Sequence, residues 1–226
     1  MIRAVVFDLD NTLYAYEPCH RAGLKSMHAK VQGYADITFD VFLDYLNQSK
    51  KYVKTKNDGT AASHNRFLYC QNICESLNLN AIEVTSFLYD AYWDAFVEKM
   101  QLFDGAMELL TCLRERNVKI GICSDLTARI QFRKLKRLGL SSVVNAVVTS
   151  EECGKEKPSS DMFKLVLGKL LVCPCDSIMV GDSLKKDVQG AKKMGMKAIL
   201  YGSLDDSEVC ALTFSELKDK LNAFIE

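Results

Sequence analysis

Five short apolar runs, separated by stretches with helical periodicity, constrain the fold of this 226-residue chain more than any other feature. Each run is almost continuously apolar, as in strands that are buried on both faces of a parallel sheet. The intervening helical stretches, 106–116, 127–137, 160–171 and 184–194, imply strand–helix–strand units with right-handed crossovers. The pattern therefore predicts an α/β fold with a doubly wound parallel sheet. The predicted strands are RAVVFDLD, VKIGICSD, NAVVTS, DSIMVGDS and KAILYG.

Residues 15–101 interrupt this alternation and contain no buried strand pattern. They show several amphipathic helices instead, as where Phe42, Tyr45 and Leu46 share one helical face. The polar segment YVKTKNDGTAASHN, residues 52–65, is predicted to be a loop. The sequence therefore predicts an all-helical insertion between the first strand and the rest of the sheet.

Composition and charge exclude several functional classes. Lys and Arg together number 29, as do Asp and Glu, so the chain has no net positive charge to attract nucleic acid or anionic lipid. It contains no apolar run of about 18 residues, and its N-terminus lacks the features of a signal peptide. The nine cysteines are scattered and odd in number, as in a reduced protein. We expect a cytoplasmic monomer or homodimer with no nucleic-acid or membrane partner.

Two further features have ordinary structural interpretations. The basic segment ARIQFRKLKRLG, residues 128–139, is predicted to be the solvated face of a helix, because no aromatic residues interleave its charges as in a nucleic-acid site. All three histidines lie in the helical insertion, which disfavours a Ser-His-Asp hydrolase at the sheet edge. We interpret Lys54, Lys56, His64 and Arg66 as exposed surface of the helical insertion, with contact to a ligand as the alternative.

Polar side chains stand at the ends of four predicted strands. In open α/β sheets, ligands bind beyond the carboxyl ends of the strands, so these side chains are expected to converge on one edge. They are Asp8, Asp10 and Thr12 after the first strand, Ser124 and Asp125 after the second, Lys157 after the third, and Asp182 and Asp187 after the fourth.

Such a concentration of carboxylates predicts a bound cation. Two carboxylates about 4 Å apart repel by roughly 4 kcal/mol at an effective dielectric constant of about 20. A divalent cation removes this penalty, and oxygen ligands without His or Cys favour Mg²⁺.

The same residues predict phosphoryl-transfer chemistry. With the negative charge neutralised by the cation, Lys157 and the Ser124 hydroxyl, a carboxylate can attack phosphorus and form an aspartyl-phosphate. The second carboxylate, two residues away, can protonate the leaving group and later activate water. Asp8 and Asp10 have the two-residue spacing that these two roles, nucleophile and general acid–base, require.

The segments DLDNTL, CSD, KP and GDSLKKD, in this order, resemble the motifs of the haloacid dehalogenase superfamily. The resemblance covers residues 1–14 and 102–203. It implies a Rossmann-like catalytic core formed by residues 1–14 and 102–226. It also implies that residues 15–101 form the four-helix-bundle cap domain of the phosphatase members, in which substrate specificity resides.

The resemblance also implies individual roles. Asp8 would be the nucleophile and Asp10 the general acid and base. Mg²⁺ would be held by Asp8, the Asp10 backbone carbonyl and Asp182, with Asp187 orienting its water shell. Ser124 and Lys157 would complete the catalytic set by binding the phosphoryl oxygens. The residues expected to contact substrate are Asn11, Thr12, Ser124, Asp125 and Lys157.

The leading prediction is a Mg²⁺-dependent phosphatase that acts on a sugar phosphate or a nucleoside monophosphate. Within the family that the chain resembles, the 2-haloacid dehalogenases lack an acid two residues after the nucleophile. The presence of Asp10 therefore favours phosphoester chemistry. A phosphomutase of the β-phosphoglucomutase type keeps both acids and remains an alternative, as do a dehalogenase, a phospho-receiver and a non-catalytic binding module. Asp125 stands where many members carry Asn, and we expect it either to influence substrate choice or to cap the next helix.

Overall fold

The computed structural model describes residues 1–225, which divide into two compact units. One unit is formed by residues 1–15 together with 101–225, and the other by residues 16–100. No helix among the described residues combines the length and the apolar character that crossing a membrane requires.

Four α-helices form the unit of residues 16–100. Helix α1 packs against α4, while α3 contacts both α2 and α4. Asparagine side chains cap the last two helices, since Asn65 accepts a hydrogen bond from the Phe67 N–H and Asn80 from the Ile82 N–H. The helices are α1 (Tyr16–Val31), α2 (Phe39–Lys56), α3 (Arg66–Ser76) and α4 (Ala81–Lys99).

The predicted loop over residues 52–65 is wrong in part. Helix α2 continues to Lys56, and Ala61–His64 form a 3₁₀ turn. Tertiary packing explains the longer helix, because Leu46, Ser49 and Val53 are buried at helical spacing on one face of α2. The polar residues of this segment lie on the opposite face. Over so few residues, the periodicity of a half-polar helix does not distinguish it from a loop.

The second unit contains a six-stranded, fully parallel sheet in the order β3-β2-β1-β4-β5-β6. Strand β1 lies in the interior of the sheet and is fully buried, which explains its uninterrupted apolar sequence. The predicted α/β fold is confirmed. The strands are β1 (Ala4–Phe7), β2 (Lys119–Ser124), β3 (Ala146–Thr149), β4 (Ser177–Gly181), β5 (Lys197–Tyr201) and β6 (Cys210–Ala211).

Helices separate the consecutive strands from β1 to β5, as the sequence predicts. The prediction missed β6, α7 (Ser150–Cys153) and α10 (Phe214–Ile225), and it treated 184–194 as a single α-helix. That segment begins as the π-helix Leu184–Val188 and continues as α9. The helices are α5 (Ala106–Glu115), α6 (Ala128–Arg137), α7 (Ser150–Cys153), α8 (Ser160–Leu170), α9 (Gln189–Lys193) and α10 (Phe214–Ile225).

Candidate active site

Three carboxylates meet beyond the ends of two neighbouring strands. Asp8 follows β1, and Asp182 and Asp187 follow β4, which pairs with β1 in parallel register. One carboxylate oxygen from each of the three residues lies within 4.8 Å of the other two. Parallel pairing therefore brings together residues that are more than 170 positions apart in the sequence.

The close approach of Asp187 depends on a glycine. A Cβ atom on Gly181 would lie 2.4 Å from the carboxyl carbon of Asp187, a distance that no side chain tolerates. The π-helical turn after β4 completes the arrangement, since the Ser183 N–H donates to Oδ2 of Asp187 at 3.0 Å. The backbone thus fixes a carboxylate that is only 1% exposed.

Lys157 joins two members of this cluster. Its Nζ lies 2.6 Å from Oδ1 of Asp8 and 2.6 Å from Oδ1 of Asp187. Burial acts to lower the pKa of Lys157, but the Asp187 and Asp8 carboxylates outweigh burial and raise it well above its usual value. The side chain is therefore a buried ammonium whose charge the two carboxylates stabilise.

The acidic cluster keeps an excess of negative charge despite Lys157. Burial, together with Asp187 and Asp10, raises the pKa of Asp8 to about 7, although Lys157 opposes the shift. Burial and Asp187 also raise the pKa of Asp182. A bound cation would reduce the repulsion among these carboxylates. The three carboxylates form the all-oxygen donor set that hard divalent cations prefer. The donors fit such an ion.

Asp10 is held by two side chains that the sequence analysis did not identify. Its carboxylate lies 2.7 and 2.9 Å from Lys134 Nζ, and it accepts a hydrogen bond from the Tyr14 hydroxyl at 2.5 Å. Lys134 is fully buried, so the prediction of a solvated basic face for residues 128–139 is wrong at this position. The signal was present, because Lys134 shares a helical face with Ile130 and Leu138.

We expect Lys134→Met to reduce both stability and turnover. Removing the ammonium leaves the Asp10 carboxylate unpaired, which should lower the free energy of unfolding by about 1–3 kcal/mol, less than for a fully buried pair. Loss of its orientation should lower kcat by about 10-fold or more. Urea unfolding and steady-state kinetics measure the two effects. Lys136→Met, an exposed position on the same helix, is the control, and equal effects of both variants would contradict this role.

Ser124 ends β2 with its hydroxyl oriented by a glutamine. Gln131 Nε2 donates to the Ser124 Oγ at 2.8 Å and to the Asp125 backbone carbonyl at 2.6 Å. Because Oγ accepts this bond, the hydroxyl proton of Ser124 remains available for donation to an anion. Sequence analysis missed Gln131, which is fully buried one helical turn before Lys134.

Asp125 does not cap α6, contrary to one of the two expectations for it. Its Oδ1 accepts from the backbone N–H of Lys157 at 2.9 Å, and its Oδ2 lies 2.8 Å from Lys186 Nζ. The N–H of Ala128, at the start of α6, donates instead to Glu151 at 2.8 Å. Asp125 therefore positions the Lys157 backbone. Its carboxylate is bound by the Lys186 ammonium and the Lys157 N–H, so it does not bond to the N–H groups at the start of α6.

The two remaining candidates for substrate contact differ in accessibility. Thr12 is fully buried, and its hydroxyl accepts a hydrogen bond from the backbone N–H of Asp182 at 3.1 Å. It thereby ties the loop after β1 to the loop after β4. Asn11 is exposed and adopts a left-handed backbone conformation with a φ of 61°, which asparagine tolerates better than most residues.

Comparison with known proteins identifies the family of the chain. The sequence profile of the haloacid dehalogenase-like hydrolases matches residues 5–201. The chain is 42% identical over 212 residues to ribulose-1,5-bisphosphate 5-phosphatase of Halopiger xanaduensis, covering 92% of this chain and 88% of that protein. It is 26% identical to glyceraldehyde 3-phosphate phosphatase of Methanocaldococcus jannaschii, covering 97% of this chain and 95% of that protein.

Solved structures show the same fold. A haloacid dehalogenase-type phosphatase from Thermococcus onnurineus superposes with a TM-score of 0.77 at 25% identity, covering 97% of this chain and 98% of that one. A 2-haloacid dehalogenase from Pseudomonas syringae gives a TM-score of 0.80 at 19% identity, covering 99% of this chain and all of that one, and supports the fold alone. The resemblance predicted from four short motifs is confirmed: the chain belongs to the haloacid dehalogenase-like hydrolase family.

Proposed function

We propose that this chain is a Mg²⁺-dependent phosphatase that hydrolyses small sugar phosphates through an aspartyl-phosphate. The observation that carries the proposal is the group of Asp8, Asp182 and Asp187 with Lys157 among them. It combines a buried carboxylate nucleophile with the cationic groups that a phosphate dianion needs in order to approach one.

In the first half of the reaction, a carboxylate oxygen of Asp8 attacks the phosphorus atom of the substrate. A P–O bond forms to Asp8 while the P–O bond to the sugar breaks. The departing alkoxide takes the proton carried by Asp10, which leaves a neutral sugar hydroxyl and an aspartyl-phosphate. Tyr14 and Lys134 support this role by holding the Asp10 carboxylate in one orientation.

In the second half, the Asp10 carboxylate accepts a proton from a water molecule. The water oxygen attacks phosphorus, the bond from phosphorus to Asp8 breaks, and inorganic phosphate leaves with the carboxylate restored. Ser124 and Lys157 stabilise the equatorial phosphoryl oxygens in both steps. For Ser124 this role is supported by the bond from Gln131, which leaves its hydroxyl proton available.

We further propose that the cation is Mg²⁺, which Asp8, Asp182 and the Asp10 backbone carbonyl would hold and whose water shell Asp187 would help to orient. When bound, the ion supplies positive charge against the transferring phosphoryl group. Asp8 must be ionised both to attack and to bind the ion, and Lys157 stabilises that ionised state in the chain itself.

The relatives support a sugar phosphate as the substrate class, because the two compared by sequence are named for a pentose bisphosphate and a triose phosphate. We propose that residues 15–101 act as the specificity-determining cap and that residues 1–14 and 102–226 form the catalytic core. A cytoplasmic location is supported by the nine free cysteines, four of which are buried.

A metal-controlled substrate screen tests the proposal. The full chain is assayed for phosphate release from sugar phosphates and nucleoside monophosphates, with Mg²⁺ and again with EDTA. We expect turnover of at least one sugar phosphate with Mg²⁺, and a fall of about 10²-fold or more when the ion is chelated. Equal hydrolysis in EDTA would contradict the metal requirement, and no hydrolysis across the panel would contradict the function.

A further inference from the structure

Gln131 is a fully buried polar side chain on α6 that contacts the end of strand β2. Its amide nitrogen donates to Oγ of Ser124 at 2.8 Å and to the backbone carbonyl of Asp125 at 2.6 Å. Strand β2, which Ser124 ends, pairs in parallel with β1, which Asp8 follows. The glutamine therefore binds a residue at the edge of the sheet where the proposed nucleophile lies.

The orientation of the Gln131 amide follows from its partners. A backbone carbonyl can only accept a hydrogen bond, so the nitrogen of the amide must face the Asp125 carbonyl. The same nitrogen also donates to Ser124, whose Oγ is therefore the acceptor in that bond. A serine hydroxyl carries one proton, and that proton must point away from a donor that occupies a lone pair of Oγ. The Asp125 carbonyl thus determines, through Gln131, where the Ser124 proton can be donated.

This orientation leaves the other half of the amide without a partner. Among residues 1–225, no group donates a hydrogen bond to the buried Oε1 of Gln131. A buried acceptor without a donor lowers stability, whereas an apolar side chain of similar size would fill the space without that penalty. Apolar side chains of α6 are buried on both sides of Gln131 in the sequence, at Ile130 and Leu135. Packing therefore does not explain a glutamine at this position, whereas a need for its two donated bonds does.

The turn that follows β2 is strained, and several contacts hold it. Leu126 has a φ of 107°, in the region that favours glycine over residues with a side chain. Its N–H donates to Oγ of the fully buried Ser150 at 2.8 Å. The bonds from Gln131 and from the Lys157 N–H hold the preceding residue, Asp125, on two sides. Strained backbone persists where the surrounding structure holds it, and it is common at catalytic sites.

We propose that Gln131 is a positioning residue for phosphate recognition, which makes the Ser124 hydroxyl a dedicated donor to the phosphoryl group. The inference rests on the proposed phosphatase function and adds to it a residue that acts through Ser124 rather than on the substrate. The oxygens of a phosphoryl dianion are acceptors, so they are bound best by a hydroxyl whose proton is always available to them. Without the Gln131 donor, the hydroxyl rotates freely and its bond to the phosphoryl group weakens.

A double-mutant cycle on the full chain tests the inference. The dissociation constant of inorganic phosphate is measured by calorimetry with Mg²⁺, and kcat/KM is measured with p-nitrophenyl phosphate. We expect Gln131→Met to weaken phosphate binding and to lower kcat/KM by about 10-fold each, the scale of one hydrogen bond to a charged group. In the Ser124→Ala background, the same substitution should change either quantity by less than about 2-fold, because the side chain through which Gln131 acts is absent.

Gln189→Met is the matched control, because Gln189 is an exposed glutamine on α9, and it should keep the wild-type values. Circular dichroism verifies the folding of each protein, and Gln131→Leu replaces Gln131→Met if the latter fails to fold. An equal loss in both backgrounds would assign Gln131 to packing or to the turn alone and would overturn the inference. Unchanged phosphate binding in the folded single variant would overturn it as well. A wild type that hydrolyses no phosphoester would instead overturn the proposed function.

Discussion

Asp8→Asn should abolish phosphate release, with kcat reduced by about 10⁴-fold or more, the scale seen when a covalent nucleophile is removed. The asparagine side chain has nearly the shape of the carboxylate, but it is neutral and has no nucleophilic carboxylate oxygen. It also removes one of the three carboxylates of the acidic cluster, so binding of Mg²⁺ should weaken in parallel.

Three measurements distinguish this result from a general loss of structure. Steady-state phosphate release gives kcat, mass spectrometry of acid-quenched protein detects the phosphorylated aspartate in the wild type, and circular dichroism reports folding. Asp176→Asn is the matched control, because Asp176 lies just before β4, at the sheet edge opposite the acidic cluster. Wild-type turnover in a folded Asp8→Asn protein would refute the assignment of the nucleophile.

Lys157→Met should cause the largest loss of stability among single substitutions in this site. It leaves Asp8 and Asp187, which are 7% and 1% exposed, without their shared ammonium. Breaking a buried pair by removing one partner costs about 3–5 kcal/mol, because the remaining charge stays desolvated. We expect a loss of this size in the free energy of unfolding without metal, together with loss of activity.

Urea unfolding with and without Mg²⁺ measures this effect. Lys186→Met removes a more exposed ammonium that pairs with Asp125, and it should lower stability by only about 1 kcal/mol or less. Adding Asp8→Asn to Lys157→Met should restore part of the loss, because one uncompensated charge disappears. Strictly additive effects of the two substitutions would contradict a direct interaction between their side chains.

The parts of the site that sequence could predict are those attached to a strong local pattern. Asp8, Ser124 and Asp182 each stand at the end of an uninterrupted apolar run, and parallel strands buried on both faces produce such runs. Once the strands are taken as parallel, the convergence of these residues follows from topology rather than from any contact visible in the sequence.

The parts that sequence missed depend on tertiary contacts. Lys134 and Gln131 lie in a basic helix, and only the packing of α6 shows that their side chains are buried beside Asp10 and Ser124. The sequence predicts Thr12 as a residue at the end of a strand that contacts substrate, but it does not show that its hydroxyl accepts a hydrogen bond from the backbone N–H of Asp182, 170 residues away. A linear pattern shows which side chains share a face, but it does not show which neighbour that face meets.

The position of β1 inside the sheet has a consequence for biosynthesis. Its hydrogen-bonding partners are β2 and β4. Strand β1 therefore has no neighbouring strand until β2, which begins at residue 119, has been synthesised, and its second neighbour, β4, begins only at residue 177. Closing such long loops makes this pairing slow and late compared with the local contacts of helices. On the ribosome, β1 must therefore remain without its sheet partners until β2 and then β4 have emerged. A product released before β4 lacks Asp182 and Asp187, two of the three carboxylates that meet beyond the ends of β1 and β4, however well its helices have formed.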